Sequence, residues 1–261
     1  MRGDTMKVTY EKISAKYDIP IKIYEPEGEV TGVCAAAHGF GGDMESTAIS
    51  LYAKRLTEDG CAVVTFCFAG HGVSRADEHF CVSNCKLDLL RIFEYACKRF
   101  ANVRYKAVFG TSFGGYITLL SLDELAEDII IVLRSPAVNM AETFKNKLLD
   151  IPFDTYEKNG AVMGFERKLY VSPDFYRDLK TYDVSQKSFG KNMLVLHGSL
   201  DDLVTQEHIN AFKAANPMAV IHKYVGADHR LRDKNCGYLG ADEVAGYILS
   251  KAQKRTGGTK P

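Results

Sequence analysis

The strongest constraint on the fold is a series of short, uninterrupted apolar runs, each too short to form a helix. They occupy residues 33–37, 61–66, 107–109, 129–133, 193–196 and 219–221. Runs of this kind are typical of strands that are covered on both faces, as in a parallel sheet. Helical periods lie between them: one ends before Gly60, and another is predicted to begin at an N-cap on Asn84. The alternation predicts an α/β fold with a mostly parallel sheet and helices on both of its faces.

The chain opens differently from the rest of this pattern. Ile19, Ile21 and Ile23 alternate with polar or less apolar residues, which is the period of a half-buried antiparallel strand. Val8 and Tyr10 suggest a partner strand before it. We therefore expect an N-terminal antiparallel hairpin.

One connection is much longer than the others. About 50 residues, 137–190, separate two predicted strands, and loops of that length are usually functional or carry structure of their own. We interpret residues 137–190, called the cap segment below, as an inserted cap or lid. The main α/β core would then comprise residues 1–136 and 191–253, and the polar, Gly-rich tail 254–261 is expected to be disordered.

Composition excludes several classes of partner. The chain has 33 basic and 33 acidic residues, so it lacks the charge excess that nucleic acids or anionic membranes attract. No apolar run approaches the ~18 residues of a membrane span. We expect a small-molecule substrate, no nucleic acid, no membrane, and a monomer or a homodimer.

The cysteines indicate a compartment and argue against a metal. There are seven of them, an odd number, and several lie within apolar runs, which favours a reducing cytoplasm. Cys81 and Cys85 lie four residues apart without a second ligand pair nearby, so a zinc site is not expected. We predict no metal and no cofactor.

A nucleophile motif follows the run at residues 107–109. Residues 110–115 read Gly-Thr-Ser-Phe-Gly-Gly and lead into a helical stretch. A strand, a tight turn with Ser112 at its apex and a helix together form the G-x-S-x-G nucleophile elbow. An inert serine in a Gly-rich turn is the alternative, and the partner residues decide against it.

A serine nucleophile needs a base, and the base needs a carboxylate that fixes its tautomer. In this chain order the acid and then the histidine should follow later strands. Asp201 and Asp202 come after one such strand, and His229 comes after the next. His71 is the second choice for the base, and physics alone leaves Asp201 and Asp202 open.

A third strand-end loop, residues 38–42, reads His-Gly-Phe-Gly-Gly. Acyl transfer needs backbone N–H groups directed at a developing oxyanion, and the amides of Phe40 and Phe113 are the natural pair. The alternative is a phosphate-binding loop. Neither of the common Gly-rich phosphate motifs is present, which disfavours that alternative.

At these residues the chain resembles the α/β-hydrolase superfamily, over nearly its whole length to about Leu249. Residues 38–42, 66–74 and 197–201 look like the corresponding segments of bacterial feruloyl (cinnamoyl) esterases. Residues 110–116 also look like the elbow of prolyl-oligopeptidase-type peptidases.

The resemblance implies the α/β-hydrolase fold and a set of roles. Ser112, Asp201 and His229 take the positions of a catalytic triad, and Phe40 and Phe113 take those of the oxyanion hole. The spacing from Gly198 to the acid matches the family's acid loop, and this match selects Asp201 over Asp202.

The cap segment is rich in large side chains, about half of which should build its own core while the rest line a pocket above Ser112. They are Phe144, Phe153, Tyr156, Met163, Phe165, Tyr170, Phe175 and Tyr176. We predict that Tyr156 and Tyr170 contact substrate and that Asp150 or Asp154 accepts a phenolic hydroxyl.

The sequence therefore predicts a serine carboxylesterase that acts on small esters, with hydroxycinnamoyl (feruloyl) esters as candidates. An aminopeptidase or a thioesterase is the alternative, because the same three residues serve amides and thioesters. A binding module on an inactive scaffold is a third reading, and the intact set of Ser112, Asp201 and His229 disfavours it.

Overall fold

The computed structural model describes residues 6–165, 167–232 and 238–256. The strands are β1 Met6–Ser14, β2 Asp18–Pro26, β3 Gly32–Ala37, β4 Cys61–Phe66, β5 Tyr105–Thr111, β6 Ile130–Arg134, β7 Ala161–Gly164, β8 Lys168–Val171, β9 Met193–Gly198 and β10 Ala219–Tyr224. The helices are α1 Thr47–Glu58, α2 Val82–Arg99, α3 Phe113–Ser121, α4 Met140–Thr143, α5 Phe153–Asn159, α6 Pro173–Thr181, α7 Gln206–Ala215 and α8 Ala241–Thr256.

Eight of these strands form one sheet in the order β1-β2-β4-β3-β5-β6-β9-β10. Strands β1 and β2 form an antiparallel hairpin in which Ile13 pairs with Ile19, and β2 is antiparallel to β4. In the rest of the sheet, β4-β3-β5-β6-β9-β10, every strand is parallel to its neighbour. The predicted α/β class, the mostly parallel sheet and the N-terminal hairpin are therefore confirmed.

The strands are apolar at consecutive positions because helices cover both faces of the sheet. In β3, Val33 and Ala35 pack in the core cluster that includes residues of α2 and α3. Cys34 and Ala36 point the other way, into the cluster that includes residues of α1 and α8. Because both faces of β3 are covered, all of its residues are apolar or glycine.

The cap segment contains several short elements between β6 and β9. In chain order they are α4, a π-helical stretch Phe144–Leu148, α5, the antiparallel pair β7 and β8, and α6. The large buried side chains of this segment, such as Phe144, Tyr156 and Phe175, belong to the same core cluster as residues of α2 and α3. The cap segment and the main sheet therefore share one continuous core.

Two helix ends differ from the sequence predictions. Helix α2 begins at Val82, not after Asn84, because the carboxylate of Asp178 accepts the Val82 N–H at 3.2 Å. The amide of Asn84 instead donates to the carbonyl oxygen of His79 at 2.7 Å. A side chain from the distant helix α6 thus takes the place of a local cap.

Helix α8 continues to Thr256 and includes the first three residues of the tail predicted to be disordered. It continues because Val244, Ile248 and Ala252 extend one buried face. The rest of that predicted tail, residues 257–261, lies outside the described residues. Within the described ranges, no helix combines the length and the apolar character that crossing a membrane requires.

Candidate active site

Ser112 occupies the sharp turn between β5 and α3 with a strained backbone, φ 52° and ψ −114°. A non-glycine residue rarely adopts a positive φ, and such strain persists only where the surroundings hold it. Here the Ser112 N–H donates to the carbonyl oxygen of Arg134 at 2.9 Å, and the Ser112 carbonyl accepts from the amide of Ala137 at 3.0 Å. The serine is thus held by the end of β6.

The glycines around Ser112 are required by close backbone packing. A Cβ on Gly110 would lie 2.5 Å from the carbonyl oxygen of Gly114. A Cβ on Gly114 would lie 2.3 Å from the carbonyl oxygen of Ala37. Because neither backbone can move without displacing the sheet, the turn tolerates only glycine at these two positions.

The structure brings the three predicted triad residues together at the carboxyl ends of the strands. Nε2 of His229 lies 2.9 Å from Oγ of Ser112, and Nδ1 of His229 lies 2.8 Å from Oδ2 of Asp201. Asp201 follows β9 and His229 follows β10, whereas Ser112 follows β5. Residues far apart in the chain thus form one continuous chain of hydrogen bonds.

The two neighbouring aspartates differ sharply in environment. The side chain of Asp201 is fully buried, and its Oδ1 accepts the amides of Leu203 at 3.0 Å and Val204 at 2.8 Å. Asp202 is exposed. Only Asp201 is positioned toward His229.

The other strand-end histidines take different positions. His71, the second choice for the base, packs against Phe80 and Phe165, and its Nδ1 lies 3.0 Å from the carbonyl oxygen of Ala69. Burial lowers the pKa of His71 to about 3. His197 is fully buried, its Nδ1 lies 3.7 Å from Oδ2 of Asp201, and burial lowers its pKa as well.

The loop at residues 38–42 lies directly beside Ser112. A Cβ on Gly39 would stand 3.3 Å from Cβ of Ser112. The loop is closed by the Gly42 amide, which donates to the carbonyl oxygen of Gly39 at 3.0 Å. Phe113 is the first residue of α3, so its N–H has no acceptor within the helix.

The ring of Phe40 is surrounded by other aromatic rings at centroid distances between 5.1 and 5.9 Å. They belong to His71, Phe80, Phe113, Phe144, Phe165 and Phe175. Three of these rings come from the cap segment. The Phe40 side chain is therefore packed between the cap segment and the rest of the core.

Ser112 and His229 open onto a cavity of about 550 Å³. Part of its wall is apolar and includes Phe40, Ala137, Met140, Leu148, Phe165, Leu203 and Val204. Another part is polar and includes Asp43, Ser46, Thr47, Thr111, Arg134, Arg230 and Tyr238. The sequence reasoning missed Met140, Leu148 and the whole polar wall.

The four predicted substrate contacts in the cap segment are not among the residues that line this cavity. Asp150 and Asp154 are exposed. Tyr156 is fully buried and donates its hydroxyl to the carbonyl oxygen of Ser172 at 2.5 Å. Tyr170 is half exposed and donates to the carbonyl oxygen of Asn159 at 3.0 Å. These tyrosines serve the internal packing of the cap segment, so we do not propose them, or the two aspartates, as substrate contacts.

The strand order, the antiparallel hairpin at the edge and the serine elbow define an α/β-hydrolase. Residues 28–163, just over half of the chain, match the family described as serine aminopeptidase, S33. The chain belongs to this family, and it is a hydrolase. No curated protein sequence matches it significantly.

Solved structures share the fold at low sequence identity. Est1E from Butyrivibrio proteoclasticus is 20% identical with a TM-score of 0.74, and the match covers 95% of this chain and 99% of that chain. The structure of Est1E with bound ferulic acid gives 23% identity and a TM-score of 0.75 at the same coverage. The Pyrococcus furiosus esterase Pf2001 is 18% identical with a TM-score of 0.66, covering 94% and 93% of the two chains.

Proposed function

We propose that this hydrolase is a serine carboxylesterase that forms an acyl-enzyme on Ser112. The observation that carries the proposal is the hydrogen-bonded chain of Ser112, His229 and Asp201, with distances of 2.9 and 2.8 Å. A buried carboxylate, an imidazole and a serine in this order are the arrangement that makes a hydroxyl nucleophilic. The strained backbone of Ser112 supports the same role.

In the proposed mechanism His229 keeps its proton on Nδ1, where the N–H donates a hydrogen bond to Asp201, so that Nε2 is free to accept the proton of Ser112. Because two backbone amides hold Oδ1 of Asp201, its Oδ2 is directed at His229. Ser112 Oγ attacks the ester carbonyl, and His229 returns the proton to the leaving alcohol. Water, deprotonated by His229, then releases the acid and regenerates Ser112.

The tetrahedral intermediate carries a negative oxygen that needs hydrogen-bond donors. We propose the amides of Phe40 and Phe113 for this role. The closeness of Gly39 to Ser112 and the position of Phe113 at the start of α3 support it. Losing one such donor costs about 100- to 1000-fold in comparable enzymes.

For the acyl group we propose aromatic acids, with hydroxycinnamoyl esters as the candidates to test first. The apolar cavity wall provides Phe40, Phe165, Met140 and Leu148, which suit a flat apolar acyl group. A solved structure of the same fold, Est1E, holds ferulic acid.

An aminopeptidase is the second candidate, because the matching family is described as serine aminopeptidase. A peptide N-terminus carries a positive charge and would need a carboxylate near the cavity. Asp43 is the one carboxylate among the described residues of the cavity wall, and its Oδ1 already accepts the Glu45 amide at 2.7 Å. Two arginines line the same cavity, which favours an ester over an amino-terminal substrate. A thioesterase stays a further alternative.

Purified protein assayed side by side with an aryl ester, an amino-acid anilide and an acyl thioester of matched acyl size would test the proposal. We expect the highest kcat/KM for the ester and no turnover by a Ser112→Ala variant. Higher kcat/KM for the anilide would instead assign the protein as an aminopeptidase.

We also propose that the protein works in a reducing compartment such as the cytoplasm. Cys34, Cys61, Cys67, Cys81, Cys85 and Cys97 are all free thiols. Unpaired cysteines are usual where thiols are kept reduced.

A further inference from the structure

Arg134 is a buried cation on the wall of the candidate active site. Arg134 is the last residue of strand β6, and only 4% of its surface is exposed. It lines the cavity that also contains Ser112 and His229. A charge in such a place is costly unless a partner compensates it.

The hydrogen-bond partners of Arg134 are neutral. Its Nη1 donates to Oγ1 of Thr111 at 2.9 Å, and its Nη2 donates to the carbonyl oxygen of Arg230. The ring of Tyr238 lies 5.5 Å from its guanidinium carbon. Its Nε is buried without a hydrogen-bond partner among the described residues.

Several other arginines in the described part of the chain have carboxylate partners. Arg167 pairs with Asp77 at 2.5 Å, and Arg55 pairs with Asp59 at 2.7 Å. Burial lowers the pKa of Arg134. The carboxylate of Asp228, whose charge raises the pKa of Arg134, is itself bound by Arg232 at 2.6 Å.

Arg134 lies against the loop that carries His229. Its Nη2 binds the carbonyl of Arg230, the residue that follows His229, and both arginines line the cavity with Tyr238. In an acyl transfer the histidine delivers its proton to the leaving oxygen, so the alcohol half of the ester lies beside the histidine. The apolar wall with Phe165 and Leu148 is left for the acyl half.

We propose that Arg134 binds a carboxylate carried by the alcohol half of the substrate, so that the enzyme selects esters of hydroxy acids. This inference rests on the proposed esterase function. A substrate carboxylate would supply the anionic partner that Arg134 lacks, through charge-assisted hydrogen bonds. Arg230, which is exposed, adds a second positive charge to the cavity lining, against one carboxylate, Asp43, among the described residues of the wall.

A purely structural role would look different in kinetics. If Arg134 only held the loop of His229 in place, its removal would lower the hydrolysis of every ester by the same factor. If it binds a substrate carboxylate, its removal must lower the hydrolysis of anionic esters more than that of neutral ones. The ratio of the two kcat/KM values therefore separates the two roles.

The test uses two butyrate esters, those of 3-hydroxybenzoate and of the neutral 3-hydroxybenzamide, which differ in charge but hardly in shape. Each kcat/KM is divided by the rate of alkaline hydrolysis of the same ester, which removes the difference in intrinsic reactivity. We expect the wild-type protein to prefer the anionic ester by about 10- to 100-fold, the range for a charged hydrogen bond. The preference should persist from about 0.05 to 0.5 M salt, because a buried charge is weakly screened.

Arg134→Met should abolish this preference, and Arg134→Lys should retain part of it. Arg104→Met, which removes an exposed cation far from the cavity wall, is the matched control and should keep the wild-type ratio. Equal losses for both esters in Arg134→Met would overturn the proposal and leave Arg134 as a positioning residue.

If Arg134→Met does not fold, inhibition of the wild-type protein by the two alcohols tests the proposal instead. 3-Hydroxybenzoate should then inhibit competitively at least about tenfold more strongly than 3-hydroxybenzamide. Equal inhibition, or a wild-type protein that hydrolyses both esters equally well, would contradict the proposal. Failure to hydrolyse either ester would instead contradict the esterase function on which it rests.

Discussion

The Cα of Gly114, two residues after Ser112, packs against the backbone of Ala37 at the end of β3. A Cβ on Gly114 would stand 2.3 Å from the carbonyl oxygen of Ala37 and 2.6 Å from its carbonyl carbon. Helix α3 can therefore start where it does only because residue 114 has no side chain. This close approach ties the serine turn to the strand that carries the loop at residues 38–42.

Gly114→Ala should destabilise the protein strongly or prevent folding, because the added methyl group meets backbone atoms that cannot move away. Gly246→Ala is the matched control: Gly246 is exposed in α8, and a Cβ there meets nothing within 4 Å. Because alanine is a better helix former than glycine, the free energy of unfolding of this variant should rise by about 0.5 to 1 kcal/mol. Thermal unfolding of both variants checks the prediction, and a Gly114→Ala protein as stable as the wild type would contradict it.

Asp201→Asn should lower kcat by about 10⁴-fold, as in comparable triads, because asparagine favours the wrong tautomer of His229. Asp202→Asn removes the same charge from the neighbouring, exposed residue and should leave kcat within a fewfold of the wild type. Steady-state kinetics on one aryl ester compares the two variants. A large loss in Asp202→Asn alone would transfer the role of the acid to Asp202.

Phe165→Ala should reduce the preference for aromatic acyl groups. The Phe165 ring lines the cavity and stacks edge-on against Phe40 at 5.1 Å, so its loss removes part of the acyl wall. We expect kcat/KM for a hydroxycinnamoyl ester to fall about tenfold or more, because the burial of one aromatic face is lost. For the acetate ester of the same alcohol, kcat/KM should change much less. Tyr170→Ala, in the same segment but outside the cavity wall, should change neither value. Parallel losses for both esters in Phe165→Ala would argue against an acyl-binding role.

Asp88 should make stability depend on pH. Its buried carboxylate accepts the hydroxyl of Tyr17 at 2.7 and 2.8 Å, and burial raises its pKa from 3.8 to about 6. The folded state holds this proton more tightly than the unfolded state does, so the free energy of unfolding should fall as pH rises from about 4 to 6. The expected loss is roughly 3 kcal/mol, from about 1.4 kcal/mol per pKa unit.

Asp88→Asn cannot ionise and serves as the reference for that measurement. Urea unfolding of both proteins at several pH values gives the difference in their free energies of unfolding. As pH rises from about 4 to 6, the free energy of unfolding of the wild type should fall relative to that of Asp88→Asn. Curves that stay parallel from pH 4 to 7 would contradict the raised pKa of Asp88.

The sheet and the site loops were accessible to sequence reasoning because their signals are local. Apolar runs mark buried strands, and Ser112, Asp201 and His229 each follow such a run directly. Parallel strands place their carboxyl ends at one edge, so residues that follow them must meet there. The geometry agrees with this expectation, while the catalytic roles of the three residues stay predictions.

The cap segment was predicted less well because its features depend on long-range packing. In the sequence, the buried Tyr156 and the cavity-lining Phe165 are both simply aromatic residues in one segment. The sequence also did not indicate that Arg134 is buried at the cavity wall, because an arginine at the end of an apolar run is typical of an ordinary strand end. Its burial against Thr111 and Arg230 depends on residues far away in the chain.

The central claim is that Ser112 is the nucleophile of a covalent mechanism. Treatment with a fluorophosphonate, followed by peptide mapping by mass spectrometry, tests it most directly. The account predicts one adduct on the peptide that contains Ser112, with loss of esterase activity in proportion to labelling, and no adduct in Ser112→Ala. An adduct on another residue, or full esterase activity in Ser112→Ala, would contradict it.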